Sequence, residues 1–347
     1  MKTAPVNGLQ NLIYYRLVAL WVVCEAFLGG IIHGLKLPVS GLLVGSCAVI
    51  CICLIAYYVP AKTAILKATV LVVIFKMMLS PQSPFPAYIA VLFQGLIGQL
   101  LFINRRWFNI SCVLLAVLSL FESAIQRVLV LTVLYGNDFW EAVNVFINGI
   151  TGQKDVTNYS LLMVSAYVLM HIAVGVLAGW VAIIIVRQSS KWQKDYRAYI
   201  FDLEEEEPEE IDLTARPKKN KTLKGGLFIV WIVLVLLAIQ SWLGPGKPLL
   251  PSALPLQILI RSFIIILTWY FLVSPLLLYF FKKWVKRQEA RSGTDIKEVL
   301  MLLPSTKFIV EQSWTASRYF IGLVRWKHFG RIVLVNILYT SDEKESK

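Results

Sequence analysis

Residues 187–224 read RQSSKWQKDYRAYIFDLEEEEPEEIDLTARPKKNKTLK, the only long interval of the chain without an apolar run of membrane length. About six such runs precede it; about two follow, and then a basic, amphipathic tail. The interval is written in blocks: basic over 191–197, acidic over 204–212, basic over 216–224. Blocks of like charge repel and stay solvated. They suit a disordered linker or a docking segment for a soluble partner. On either reading the chain divides into residues 1–187, a charged cytoplasmic connector over 188–224, and a smaller module over 225–347.

Working outward, the composition sets the class. Of 347 residues, 57% are hydrophobic and 16% charged, against about 25% charged in soluble domains. The expectation is an all-α integral membrane protein. The net charge of +13 would suit nucleic acid, but Lys and Arg gather at the ends of apolar runs, where they set membrane topology. No nucleic-acid partner is expected. The five cysteines, Cys24, Cys47, Cys51, Cys53 and Cys112, all fall inside apolar runs. Buried free thiols are expected rather than disulfides or a metal site. The first apolar run is too long for a signal-peptide core and no small-residue cleavage site follows, so it is expected to stay as a span.

A span takes about 20 residues. Candidates lie over 12–35, 39–59, 63–80, 87–103, 108–135, 159–186, 226–243 and 254–281. The third and fourth are short, and SPQSPFP over 80–86 between them cannot continue a helix. With the N-terminus cytoplasmic, Lys2, Arg16, Lys62, Lys67, Arg105, Arg106, the connector and residues 282–291 lie inside; Lys36, Lys154 and Lys247 lie outside with Asp138, Glu141 and Asp155. The expectation is about eight transmembrane helices in a bacterial inner membrane, with both termini cytoplasmic. FWEAVNVFINGI over 139–150 has helical apolar spacing. It is expected on the outer membrane surface, or folded over the mouth of the six-span unit. After the last span, two or three amphipathic helices are expected on the cytoplasmic face, the first interrupted at Pro304. They read as a basic surface against membrane lipid or as a platform for a peripheral subunit. Around Arg318, Trp314, Phe320 and Ile321 are expected to rest on the membrane domain while the guanidinium faces the cytosol.

Ionisable groups at membrane depth are functional candidates, because each is costly unless paired. They are Glu25, Lys76, Glu122, Arg127, His171 and Arg261, with Gln94, Gln99 and Gln126 adding amides. The expected orientation puts Glu25, Lys76, Gln94, Gln126, Arg127, Tyr167 and His171 at mid-depth or in the outer half. Glu122 and Gln126 share a helix face and Arg127 points elsewhere. Glu122 is therefore expected to meet another span, with Lys76 as a candidate ion-pair partner. Gly95/Gly98 and Gly175/Gly179 read as helix-packing notches. The chain has no G-x-x-x-x-G-K-[ST], no H-E-x-x-H, no paired-Asp motif and no G-x-S-x-G. No catalytic residue, metal or cofactor is expected, and the chain is not expected to be an enzyme.

Six spans with a cytoplasmic N-terminus and an outward polar cluster resemble the substrate-binding S component of energy-coupling factor (ECF) vitamin transporters. The best local match is PFPAYIAVLFQGLIGQLLF over 84–102, similar to the fourth-helix stretch of S components, with Gln99 as the polar residue near its end. Residues 254–339 resemble a shortened transmembrane T component. EARSG over 289–293 and TASRY over 315–319 stand where that family carries Ala-Arg-Gly motifs, though neither is Ala-Arg-Gly; EVLMLLPSTKFIVEQ over 298–312 resembles the entry to that region. The resemblance implies an ATP-driven uptake transporter for a small nutrient, a vitamin or its precursor, with hydrolysis in separate ABC-type ATPase subunits. Lys76, Glu122, Gln126, Arg127, Tyr167 and His171 are the expected substrate contacts; Arg291 and Arg318 are the expected ATPase contacts. The alternative is a membrane-embedded scaffold or assembly protein without a transported ligand.

Overall fold

The computed structural model describes residues 8–28, 40–80, 83–151, 158–201, 228–229, 231–233, 235–236 and 254–339. Every regular element among them is helical. In chain order these are α1 (Gly8–Val23, continued by a π-helical turn Cys24–Leu28), α2 (Ser40–Tyr58), α3 (Ala64–Leu79), α4 (Phe85–Leu101), α5 (Phe108–Tyr135), α6 (Asn137–Thr151) and α7 (Tyr159–Asp195). Then come α8 (Leu254–Thr268), which passes through a π-helical turn Trp269–Val273 into α9 (Ser274–Arg291), α10 (Gly293–Ala316) and α11 (Gly322–Leu338).

Among the described residues four helices are long and apolar enough to cross a membrane: Gly41–Tyr58, Phe108–Tyr135, Tyr159–Asp195 and Leu259–Arg291. Phe85–Leu101 is apolar but shorter. At about 1.5 Å per residue, the 16 residues of α3 make about 24 Å, less than the ~30 Å hydrocarbon core. Most of the expected span over 226–243 lies outside the described residues, as does the connector over 202–224.

The chain forms two compact units. One compact unit is Met1–Ser123, His171–Leu213 and Val285–Lys347; the other is Ala124–Met170 and Thr214–Trp284. The division cuts α5, α7 and α9, so each contributes a part to both units.

The first unit is built around α1. Leu17, Val18, Ala19, Trp21 and Val22 are 0% exposed. With Leu20, 7% exposed, they reach every face of the helix, and a helix apolar all round must be enclosed on all sides. Its neighbours are α2, α3, α10 and α11. The tail helix α10 turns a stripe of Val299, Leu303, Thr306, Ile309 and Ser313 inward and packs on α1.

That packing explains a departure from expectation at Pro304. The helix was expected to break there, yet α10 runs unbroken through it from Gly293 to Ala316. A proline inside a helix costs about 3 kcal/mol. Burying one Val, Leu or Ile contributes about 1.5–3 kcal/mol, and the stripe buries three. The hydroxyls of Thr306 and Ser305 also donate to the Leu302 carbonyl, at 2.6 and 3.0 Å.

The start of the connector is folded too. The α7 helix continues past the apolar run to Asp195, and a 3-10 turn follows at Arg197–Tyr199. Trp192 and Tyr196, set among the basic residues, are buried. Tyr196 Oη shares a hydrogen bond with His328 Nδ1 at 2.8 Å. Asn336 Nδ2 donates to the Tyr199 carbonyl at 2.9 Å, and the Phe201 amide donates to Asn336 Oδ1 at 2.8 Å. Aromatic residues interleaved with the charges anchor this stretch to α11.

Candidate functional site: a buried polar layer on the first helix

The turn over 80–86 sends the chain back on itself. The Ser80 amide caps α3 on the Lys76 carbonyl at 2.9 Å. Pro84 precedes α4 in extended conformation and Pro86 occupies its first turn, where a missing N–H costs nothing. This return places Ala87 and Tyr88 beside Lys76. Lys76 Nζ donates to Glu25 Oε2 at 2.6 Å and, more weakly, to the Ala87 carbonyl at 3.4 Å. The Tyr88 ring centroid lies 6.0 Å from the ammonium.

Glu25 sits on the π-helical turn that ends α1, a local widening that re-aims side chains and recurs at functional sites. Both members of the pair are 3% exposed. Desolvating each charge costs several kcal/mol, and only close geometry and further hydrogen bonds offset it. Lys76 thus has Glu25 as its carboxylate, in place of the expected candidate Glu122.

The same unit holds polar atoms that the protein leaves unmatched. Trp21 Nε1, Gln94 Oε1 and Ser119 Oγ are buried without a hydrogen-bond partner among the described residues. They come from α1, α4 and α5. Such atoms are uncommon in folded proteins, and water or a ligand is the usual reason. Gly45 on α2 opens the space between two of these helices: a Cβ there would meet Leu120 Cδ2 at 3.0 Å and Gln94 Nε2 at 3.5 Å. All five cysteines are free, and Cys24, Cys51, Cys53 and Cys112 are buried. Among the described residues no three His, Cys, Asp or Glu side chains converge as metal ligands would.

The remaining expected contacts divide between the units. Glu122, half-buried on α5, and His171, 1% exposed on α7, belong to the first. Gln126, Arg127 and Tyr167 belong to the second. There Arg127 is exposed and within electrostatic reach of Tyr167. Arg261 lies in the second unit with its guanidinium against Gly136, where α5 ends at φ +76°. Ser262 Oγ donates to the Leu134 carbonyl at 3.2 Å. A cation beside a helix C-terminus is favourable, so Arg261 closes α5. The glycine pairs are notches: a Cβ on Gly179 would lie 2.6 Å from Val113 Cα, and one on Gly98 2.7 Å from Ile52 Cγ2.

The two expected ATPase contacts are both exposed. Arg291 ends α9. Arg318 lies on the elbow between α10 and α11, where its Nη2 donates to Tyr319 Oη at 3.2 Å. The elbow is apolar as well as basic: Tyr319, Ile321 and Leu323 are 79%, 89% and 85% exposed. The anchoring expected for its apolar residues is not what forms. Ile321 points outward, Phe320 stacks face to face on His328 at 3.7 Å, and Trp314 carries the Arg325 guanidinium at 3.9 Å from its ring centroid. The aromatics are consumed by packing within the tail. His328 is held below the ordinary imidazole range, first by burial and then by the nearby Arg331 charge.

Sequence reasoning singled out Glu25 and Gln94 as polar groups at depth but not as members of a site, and it missed Trp21 and Ser119. A signal for the pair was present. Glu25 and Lys76 carry opposite charges in the first and third apolar runs, which were expected to run in the same direction. Trp21 and Ser119 gave none, since both types occur throughout apolar helices.

No protein-family model matches the chain, nor does any curated protein or solved structure.

Proposed function

We propose that the chain is the membrane subunit of an ATP-driven uptake transporter for a small nutrient, a vitamin or its precursor. In this reading it has about eight spans in a bacterial inner membrane, with both termini and residues 187–224 cytoplasmic. The observation that carries the proposal is the double role of α1. Its end supplies Trp21 and Glu25 to the buried polar layer, and its length is packed by the tail helices α10 and α11. A ligand that completes the layer acts on α1, against which the two helices flanking the exposed, arginine-carrying elbow are packed. ABC-type ATPase subunits are the partners proposed for Arg318 and Arg291. The substrate contacts proposed are Lys76, Glu122, Gln126, Arg127, Tyr167 and His171, with Trp21, Glu25, Gln94 and Ser119 joining them.

The scaffold reading draws on one feature, the closure of Glu25 and Lys76 upon each other, which satisfies both charges without a ligand. Purification from native membrane, followed by mass spectrometry of co-purifying proteins and bound small molecules, separates the two. The transporter reading expects an ATPase and a stoichiometric small molecule. Recovery of neither overturns it.

A further inference from the structure

The helix α6 turns an apolar stripe outward, while Phe139, Trp140, Val143 and Ile147 are half-buried with its asparagines. Ala142, Val145, Phe146, Gly149 and Ile150 form one stripe at helical spacing, and all five are exposed. The large ones are exposed by 72% (Val145), 68% (Phe146) and 71% (Ile150). The asparagines of the same helix, Asn144 and Asn148, are half-buried instead. Asn144 Oδ1 accepts the Ser160 amide at 2.7 Å, and Trp140 Nε1 donates to Thr132 Oγ1 at 3.1 Å. A helix at a water-facing surface shows the reverse arrangement, with amides outward and the apolar stripe inward.

The environment of the stripe follows from its chemistry. It bears no charge, and α6 has no Lys or Arg; its charged residues are Asp138 and Glu141, near its start. Attraction to anionic headgroups, the usual anchor of a surface helix, is therefore absent. The same unit exposes further large apolar side chains, Leu129 and Val133 on α5 and Leu162 and Leu169 on α7. These belong to helices long and apolar enough to span.

We propose that the Ala142–Ile150 stripe of α6 is covered by phospholipid acyl chains, so that α6 is a lipid-embedded helix and not a lid over a ligand opening. The inference needs the chain to lie in a bilayer; it does not need the chain to be a transporter.

The test uses full-length protein in a cysteine-free background, reconstituted in phosphatidylcholine vesicles. Phe146→Cys, Ile150→Cys and, as a span reference, Leu169→Cys are each labelled with an environment-sensitive nitrobenzoxadiazole dye. Only variants that match the unlabelled protein in elution and melting are read, and the two α6 positions back each other up. Replacing the lipid by its acyl-chain-brominated form is expected to lower emission at least twofold at an α6 position and at residue 169, while aqueous iodide quenches neither. Quenching at 169 alone, with iodide quenching on α6, would overturn the α6 proposal and leave the membrane reading intact. Disulfide formation between copies through Phe146→Cys, with no bromine effect there, would overturn it in favour of a second copy. Quenching at none of the positions would overturn the membrane reading and this proposal with it.

Discussion

Tyr15 on α1 donates its hydroxyl proton to Asp295 Oδ1 on α10 across 2.6 Å, joining residues 280 positions apart. The bond ties the core helix of the first unit to the start of the tail. Asp295 lies in the first turn of α10, where a carboxylate also complements the helix dipole. Hydrogen bonds to charged groups contribute about 1.5–3 kcal/mol, and the partial exposure of Tyr15 brings this one toward the lower end. Tyr15→Phe is expected to weaken tail docking by about 1 kcal/mol, read as faster hydrogen exchange over 293–316. Unchanged exchange would mean that the bond does not hold the tail.

The Glu25–Lys76 pair makes a separable prediction. Glu25→Gln or Lys76→Met alone leaves one buried charge unpaired and is expected to cost about 3–5 kcal/mol. The double variant Glu25→Leu/Lys76→Met removes both charges and is expected to recover most of that loss, as apolar replacements of buried pairs often do. Melting temperature reads stability; retention of the co-purifying small molecule reads function. A double variant that is stable but empty supports a binding role. One that is stable and fully loaded assigns the pair to structure alone.

Gly136 is constrained twice. At φ +76° a side chain costs about 1–2 kcal/mol, and a Cβ would stand 2.5 Å from Arg261 Nη1. Gly136→Ala is expected to lower stability by about 2 kcal/mol or more. Adding Arg261→Ala should return only the steric part, since the backbone strain remains. Full recovery in the double variant would show that the positive φ carries no cost.

His328 predicts a pH dependence. Its folded pKa is lowered relative to an ordinary value of about 6.5, so the unfolded state binds more protons and stability rises with pH through that interval. The contribution is present above about 6.5 and is lost as pH falls through the folded value. Hydrogen exchange over 320–338 should quicken on acidification from pH ~7.5 to ~5.5, and His328→Gln should flatten the change. A tail that tightens in acid would reverse the sign.

Helical class and the extents of α2 and α5 were readable from the sequence, because apolar run length is a local property; α7 was expected to end at 186 and runs on to Asp195, because the helix continues into the polar residues beyond the apolar run. The packing of α1 against α10 was not. An all-apolar helix gives no clue to which neighbour encloses it, and the stripe from Val299 to Ser313 is recognisable only with its partner beside it. Pro304 misled because proline's local cost is visible in sequence and the burial that outweighs it is not. Within the polar layer, Lys76 was legible as a charge at depth. Its choice of Glu25 over Glu122 depends on the π-helical turn at Cys24–Leu28, which no residue pattern announces.

The elbow offers the most direct test of the proposed transport role. A guanidinium makes forked hydrogen bonds that lysine cannot reproduce, and Arg318 is exposed on an apolar rim. If Arg318 grips an ATPase, Arg318→Ala should lose about 2 kcal/mol of binding or more, the size of an interface hot spot. The measurement is pull-down of ATPase subunits from native membrane extract by wild type, Arg318→Lys and Arg318→Ala. The account predicts recovery by wild type, reduced recovery with lysine and loss with alanine, with small-molecule retention unchanged in all three. Equal ATPase recovery in all three, or none with wild type, would contradict it.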